Sequence, residues 1–218
     1  MPNGGKEKNK PKLLLSMSYH SPRWGTLKPG HRHCHDFCEI MFVKDGSGKV
    51  IFDDGEEKFK KGDVVVYNPG TMHSECFDEQ PVATIVFIGI SNLAIDGLEP
   101  GCLCKGKHAV LSSETHYDAL FFYLDQLFSE KDQHTVQGVA IYKELLNIII
   151  ANILRLSEDA TRAVESRKTY TEVKKYLDDN YTSIDSVDEL CKNLYINKYY
   201  LTHLFSARYG VSPLQYLI

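Results

Sequence analysis

No sign of charge dominates this 218-residue sequence: 25 Lys and Arg stand against 29 Asp and Glu, a formal net charge of −4. That balance excludes a general polyanion binder working through bulk charge. It holds locally too, with seven acidic and seven basic residues over 165–218. Long apolar runs are also missing. The most apolar stretch, around Ile148-Ile149-Ile150, is broken by Asn147, Asn152 and Arg155, far short of a membrane span. Leu13 to Met17 is too short an apolar core for a secretory leader, so a cytoplasmic protein with no membrane partner is expected. Paired cysteine motifs are lacking as well. Six cysteines lie at 34, 38, 76, 102, 104 and 191, and Cys102-Leu103-Cys104 is too close for a zinc ribbon and has no second pair. Reduced thiols without a redox role are the expectation.

What is present divides along the chain. Residues 1–12, rich in Lys, Asn, Gly and Pro, read as a disordered tail. From Leu13 to about 110, short apolar or alternating runs (Glu39 to Val43, Lys49 to Phe52, Val64 to Tyr67, Thr84 to Ile88) are separated by turn residues such as Asp45-Gly46-Ser47-Gly48 and Asp53-Asp54-Gly55. Closely spaced hairpins of this kind predict a small β-barrel or jelly roll. Helices follow over 111–157. The first spans Ser113 to Lys131, with Ser113 and Glu114 as a capping-box-like start and Leu120, Phe121, Leu124, Leu127 and Phe128 on one face. The second, Val136 to Ser157, is apolar nearly all round and so needs covering on two sides, by its own chain or by a second subunit. The polar segment 158–168 reads as a linker to a domain over 169–218. The fold class expected is α+β.

In the last segment, Ser186 to Val211 reads SVDELCKNLYINKYYLTHLFSARYGV. Ser186 caps a helix whose Val187, Leu190 and Cys191 form a short apolar stripe, and Leu194 and Ile196 bury the following turn. Asn197 caps a second helix with Leu201, Leu204 and Phe205 inward, which leaves Tyr199, Thr202, His203 and Ser206 outward. Such a pair is the layout of a helix-turn-helix, whose second helix reads the major groove. Upstream, Tyr170 to Tyr181 is helical, with Val173, Tyr176 and Leu177 on one face. Downstream, Ser212-Pro213 starts a further helix.

This order, with Tyr195, Asn197, Tyr200, Leu201, Leu204 and Phe205 as its core, resembles the first half of the DNA-binding domain of the AraC/XylS transcription regulators. The resemblance implies a second helix-turn-helix after the connecting helix, so the segment ending at Ile218 is expected to be a truncated reading head. It implies base contacts from Tyr199, Thr202 and His203, and phosphate contacts from Lys198, Asn197 and Ser206. No arginine is placed for a bidentate guanine contact, so modest discrimination is expected from this half.

The N-terminal domain carries its own constellation. His33-Cys34-His35, Glu39 and Gly46 fit H-x-H-x3-E-x6-G, and Gly62-Asp63 followed by Pro69-Gly70-Thr71-Met72-His73 fits G-D-x5-P-G-x2-H. Both resemble the signature motifs of the cupin superfamily. His33, His35 and Glu39 share parity and so face one side of an extended chain, where His73 can join them from another strand. His31 has the same parity and is an alternative first ligand, whereas Cys34 and Cys38 have the opposite one. Three imidazoles and a carboxylate can hold a divalent metal, line a metal-free effector cavity, or pair for structural reasons.

Two functions follow. One is a ligand-responsive, sequence-specific DNA-binding regulator, homodimeric, with a small-molecule effector bound by His33, His35, Glu39 and His73. The other is a metal-dependent cupin enzyme of dioxygenase or isomerase type with an accessory helical module.

Overall fold

A computed structural model describes residues 10–20, 31–78, 82–113, 116–181, 184 and 186–217. The chain forms two compact units, Met1–Glu158 and Asp159–Ile218.

The first unit contains eight strands: β1 (Lys12–His20), β2 (Cys38–Asp45), β3 (Ser47–Phe52), β4 (Glu56–Lys60), β5 (Asp63–Tyr67), β6 (His73–Phe77), β7 (Thr84–Ser91) and β8 (His108–Ser112). They form a five-stranded sheet in the order β1-β7-β2-β5-β8 and a three-stranded sheet in the order β4-β3-β6. Among the described residues the two sheets stay separate, so the jelly roll is an open sandwich where a closed barrel was among the expectations. Strands β1, β4, β6 and β8 complete the runs legible in the sequence.

Gly46 alone separates β2 from β3. Its φ of +90° is one an L side chain rarely adopts, and an added Cβ would lie 2.6 Å from the Ala83 Cα. The hairpin therefore needs glycine for conformation and for clearance.

Alternation along β2 sorts its residues to two faces. Met41 and Val43 join Val65, Tyr67, Ile85 and Phe87 of the same sheet, and meet Val50, Phe52, Phe59 and Phe77 of the other. Ile40 and Phe42 lie on the opposite face, where Phe42 meets the Phe121 ring edge-on at 6.2 Å. Phe121 belongs to α1 (Tyr117–Glu130), which buries Leu120, Phe121, Leu124 and Leu127. Covered on both faces, β2 reads as a nearly continuous apolar run. Burying side chains of this size contributes about 1.5–3 kcal/mol each.

α1 starts four residues later than expected. The Ser113 hydroxyl donates to the Gly62 carbonyl at 2.5 Å and caps no amide among the described residues; Glu114 lies outside them. His116 stands at the N-cap without a side-chain bond.

α2 runs from Val136 to Asn180 and takes in both the expected linker over 158–168 and the expected separate helix from Tyr170. Its physical reason is the absence of breakers: no Gly or Pro occurs from 139 to 209, and polar segments rich in Ala, Glu and Arg are good helix formers. In the first unit α2 buries Leu146, Ile149, Ile150, Ile153 and Leu156, while Val139, Ile141 and Ile148 stay exposed.

In the second unit Val173 and Leu177 of α2 pack with Leu190 of α3 (Val187–Leu194) and with Leu201 and Phe205 of α4 (Lys198–Tyr209). Both expected caps form: the Ser186 hydroxyl accepts from the Glu189 amide and the Asn197 Oδ1 from the Tyr200 amide, each at 3.2 Å. Tyr195 ends α3 in a left-handed conformation at φ +54°. Past α4, Ser212 and Gln215 cap each other reciprocally. The helix expected there is a single 3-10 turn, Gln215–Leu217. Of Leu204, the side chain lies outside the described set.

Candidate functional site

At one end of the sandwich interior, Glu39 begins the inward-facing series of β2 and stands directly across from Tyr67 of β5. His73 opens β6 on the other sheet, across from Phe52 of β3. His33 and His35 reach the same place without an extended strand. A bend at 36–37 interrupts the chain before β2. Convergence is enforced instead by a two-bond bridge, in which the His33 amide donates to the His73 carbonyl at 3.0 Å and the His73 amide to the His33 carbonyl at 2.9 Å. The Gly70 amide adds a bond to the His35 carbonyl at 2.8 Å.

The four side chains present ligand atoms that all lie within 4.8 Å of one another. Glu39 Oε2 is 3.4 Å from His35 Nε2 and 3.3 Å from His73 Nε2. His33 Nδ1 faces the His31 carbonyl and His73 Nδ1 the Thr71 carbonyl, each at 2.8 Å. A carbonyl only accepts, so the proton sits on Nδ1 in both rings and Nε2 is turned to the cluster. His31 thus serves through its backbone, not as an alternative ligand. Tyr67 stacks on His73 with centroids 4.0 Å apart, and Phe37 stacks on His35.

Electrostatically the cluster is under-satisfied. Glu39 Oε2, His73 Nε2 and Glu75 Oε1 are buried with no hydrogen-bond partner, a condition that costs about 1–3 kcal/mol per neutral group and more for a charged one. Burial works against charge on His73, but the Glu39 carboxylate 3.3 Å away, the bond to the Thr71 carbonyl and the field of Glu75 outweigh it and hold the imidazole above its ordinary value. Burial, then Glu75 and Glu39, keep the Tyr67 phenol protonated. The cluster is therefore a seat for a cation, a proton or a metal. The residues fit a metal in kind, and the two Glu39–imidazole separations of 3.4 and 3.3 Å are near the roughly 3.0–3.4 Å that an ion about 2.0–2.1 Å from each donor imposes. His33, His35, Glu39 and His73 would hold it, and it would supply a Lewis-acid point for the oxygen atoms of a ligand.

Two residues of this end were not singled out in the sequence. Glu75 Oε1 is 3.6 Å from His73 Nε2, and its signal was the shared parity of positions 73 and 75. Tyr67 was legible only as an apolar strand end. The cysteines stand apart: Cys38 and Cys104 are buried and Cys34 is exposed.

The second candidate surface is the outer face of α4. Tyr199 is 80% exposed and its ring lies parallel to that of His203, one turn on, at 6.1 Å. Thr202 and Ser206 are half-buried. Lys198 is paired with Asp188 of α3 at 2.9 Å, and Asn197 spends its carbonyl on the cap. Tyr195, 96% exposed at the turn, adds an aromatic that the sequence reading left in the core motif.

A two-sheet sandwich with an inward His/Glu cluster, joined in one chain to a capped helix pair, defines the class of cupin-like sensor proteins with a helical output unit. Residues 24–80 match the family model described as AraC-like ligand binding domain. The chain is 23% identical over 220 residues to the uncharacterized HTH-type transcriptional regulator YdiP of Escherichia coli (strain K12), covering 95% of this chain and 70% of YdiP. It is 23% identical over 208 residues to the uncharacterized HTH-type transcriptional regulator YbfI of Bacillus subtilis (strain 168), covering 88% of this chain and 71% of YbfI. Among solved structures, apo ToxT from Vibrio cholerae aligns with a TM-score of 0.44 and 12% identity over 93% of this chain and 96% of ToxT. Over most of its length the chain is thus similar to proteins named as HTH-type transcriptional regulators, and its N-terminal unit to an AraC-like ligand binding domain.

Proposed function

We propose that the chain is a ligand-responsive regulator whose α4 reads DNA and whose sandwich binds the effector through His33, His35, Glu39 and His73. The observation that carries this reading is the pairing, in one chain, of an under-satisfied inward cluster with a capped helix pair whose outer face is polar and exposed. Tyr199, Thr202 and His203 are assigned to base edges, and Asn197, Lys198 and Ser206 to phosphates. Lys198 must leave Asp188 to do so, which weakens its contribution. The effector must bind two arrangements of the protein with different affinity, since equal affinity would shift nothing.

Val139, Ile141 and Ile148 on α2, with Phe122 on α1, are exposed apolar residues and support a homodimer, which would supply avidity to a unit of balanced charge. Among the described residues no helix is long and apolar enough to cross a membrane, in keeping with a cytoplasmic regulator. The metal-dependent enzyme is not favoured, because the relatives carry regulator names.

The test is selection of a binding site from random-sequence DNA, followed by affinity measurement on selected and scrambled duplexes. Tyr199→Ala and His203→Ala should each weaken binding to the selected site by about 1–3 kcal/mol per lost base contact. Equal affinity for selected and scrambled DNA would sink the reading.

A further inference from the structure

We propose that the first unit carries a second ligand site, outside the sandwich interior, for a small multivalent anion of the phosphate or polycarboxylate class. The site is a cavity of about 320 Å³ lined by Lys10 and Lys12 at the start of β1, Asn92 past the end of β7, and Lys143, Glu144 and Asn147 of α2. It rests neither on the effector role of the cluster nor on DNA reading by α4.

Three observations support it. First, positive charge is concentrated there against the trend of the chain: three lysines and one glutamate line the cavity, whereas the whole sequence has a net charge of −4. Several lysines elsewhere are paired with carboxylates, as Lys44 is with Asp125 and Lys49 with Glu56. No ion pair holds Lys10, Lys12 or Lys143 among the described residues, and the one carboxylate, Glu144, accepts from the Asn147 amide at 3.3 Å. A concave surface dominated by one sign of charge focuses its field on whatever enters.

Second, the cations come from two regular elements. Lys12 stands across from Ser91 in the β1–β7 ladder, which puts it beside Asn92. Lys143 and Asn147 are one turn apart and share a helix face, and the same stretch of α2 is fixed to the unit by buried Leu146, Ile149 and Ile150. The backbone positions of the donors are thus set before an anion arrives.

Third, the donor inventory is one-sided. Ammonium groups only donate, and the Asn92 amide adds further N–H donors, so the cavity suits the acceptor oxygens of phosphate or carboxylate groups. Without an arginine fork, selection is by charge more than by geometry. The volume lies at the small end of the roughly 300–1,000 Å³ of ligand cavities, which matches a compact anion with a few charged groups.

The test is isothermal titration calorimetry of the 218-residue chain, freed of divalent ions and held at constant low ionic strength, with pyrophosphate and citrate as probes and acetate as the monovalent control. Expected is one anion per chain, with both multivalent probes bound at least tenfold more tightly than acetate. Tighter binding of pyrophosphate assigns the phosphate class and tighter binding of citrate the polycarboxylate class, and either supports the site. Lys12→Gln and Lys143→Gln, at exposed positions, should each weaken binding roughly 2–5-fold, as loss of an exposed charge pair does, and together about tenfold. Asn147→Asp, also exposed, adds a carboxylate and should weaken binding with every lysine in place. Lys198→Gln in the second unit should change nothing. The absence of saturable binding, equal affinity in the double lysine variant, or loss of binding in Lys198→Gln overturns the proposal. A failure of DNA selection leaves this titration untouched, so the two readings fail separately.

Discussion

Phe205→Ala tests whether the helix pair stands on one small core. Phe205 is buried in the second unit with Val173, Leu177, Leu190 and Leu201, and its ring lies 4.5 Å from Tyr209 and 5.5 Å from Tyr216. Removing a buried Phe costs about 3–5 kcal/mol, through lost transfer energy and the cavity left behind. A unit of about 60 residues has a total stability on the order of 3–9 kcal/mol at 0.05–0.15 kcal/mol per residue. The deletion therefore removes from about a third to all of the stability of this unit and none of the sandwich core. Hydrogen exchange followed by mass spectrometry should show lost protection in Val187–Leu194 and Lys198–Tyr209, with Cys38–Asp45 and Thr84–Ser91 as slow as in wild type. Unchanged exchange in α3 and α4 would refute the packing argument. Equal loss in the strands would refute the independence of the two units.

The remaining expectations are smaller in scale. Ser186→Ala and Asn197→Ala each remove a helix N-cap and should cost about 0.5–2 kcal/mol in urea unfolding, with Asn197→Asp retaining most of the stability. Thiol alkylation at pH 8, read by peptide mass spectrometry, should label exposed Cys34 and spare Cys38 and Cys104. Burial pushes the Cys104 thiol up to about 12 and the Cys38 thiol higher still, so little thiolate forms until the protein unfolds. Labelling of Cys38 at the rate of Cys34 in the folded chain would contradict the strand assignment.

The members of the candidate cluster were legible in the motif, but strand parity is not what gathers them: a bend at 36–37 separates His33 and His35 from β2, and only Glu39 takes its direction from the strand. Glu75 was legible by its parity with His73, yet it lies beyond the motif that drew the eye. The bridge between His33 and His73 was not readable, since it depends on two segments 40 residues apart meeting in space. The same holds for the open sandwich: hairpin spacing predicts strands, whereas sheet order is settled by pairings such as β2 with β7 and β5 with β8. Polarity over 158–168 suggested a linker, and the two units divide at Glu158/Asp159; the chain crosses that boundary as helix, because polarity reports solvent exposure and only Gly, Pro or a competing cap ends a helix. At Ser113 a good capping residue found a stronger partner in the Gly62 carbonyl, a tertiary contact that propensity does not see.

The carbonyls of His31 and Thr71 that fix the two imidazoles belong to the main chain, which every residue type supplies. Position 31, which is exposed, can thus drift in evolution without disturbing which ring nitrogen carries the proton, whereas position 71 is also held by its buried hydroxyl, which donates to the Lys107 carbonyl at 2.6 Å. The orienting elements of the cluster are inherited as backbone path, through the bridge and the turn at Pro69-Gly70. A relative that kept all four ligand residues but inserted a single residue between 31 and 33 would lose the tautomer control while seeming, residue by residue, to have kept the site.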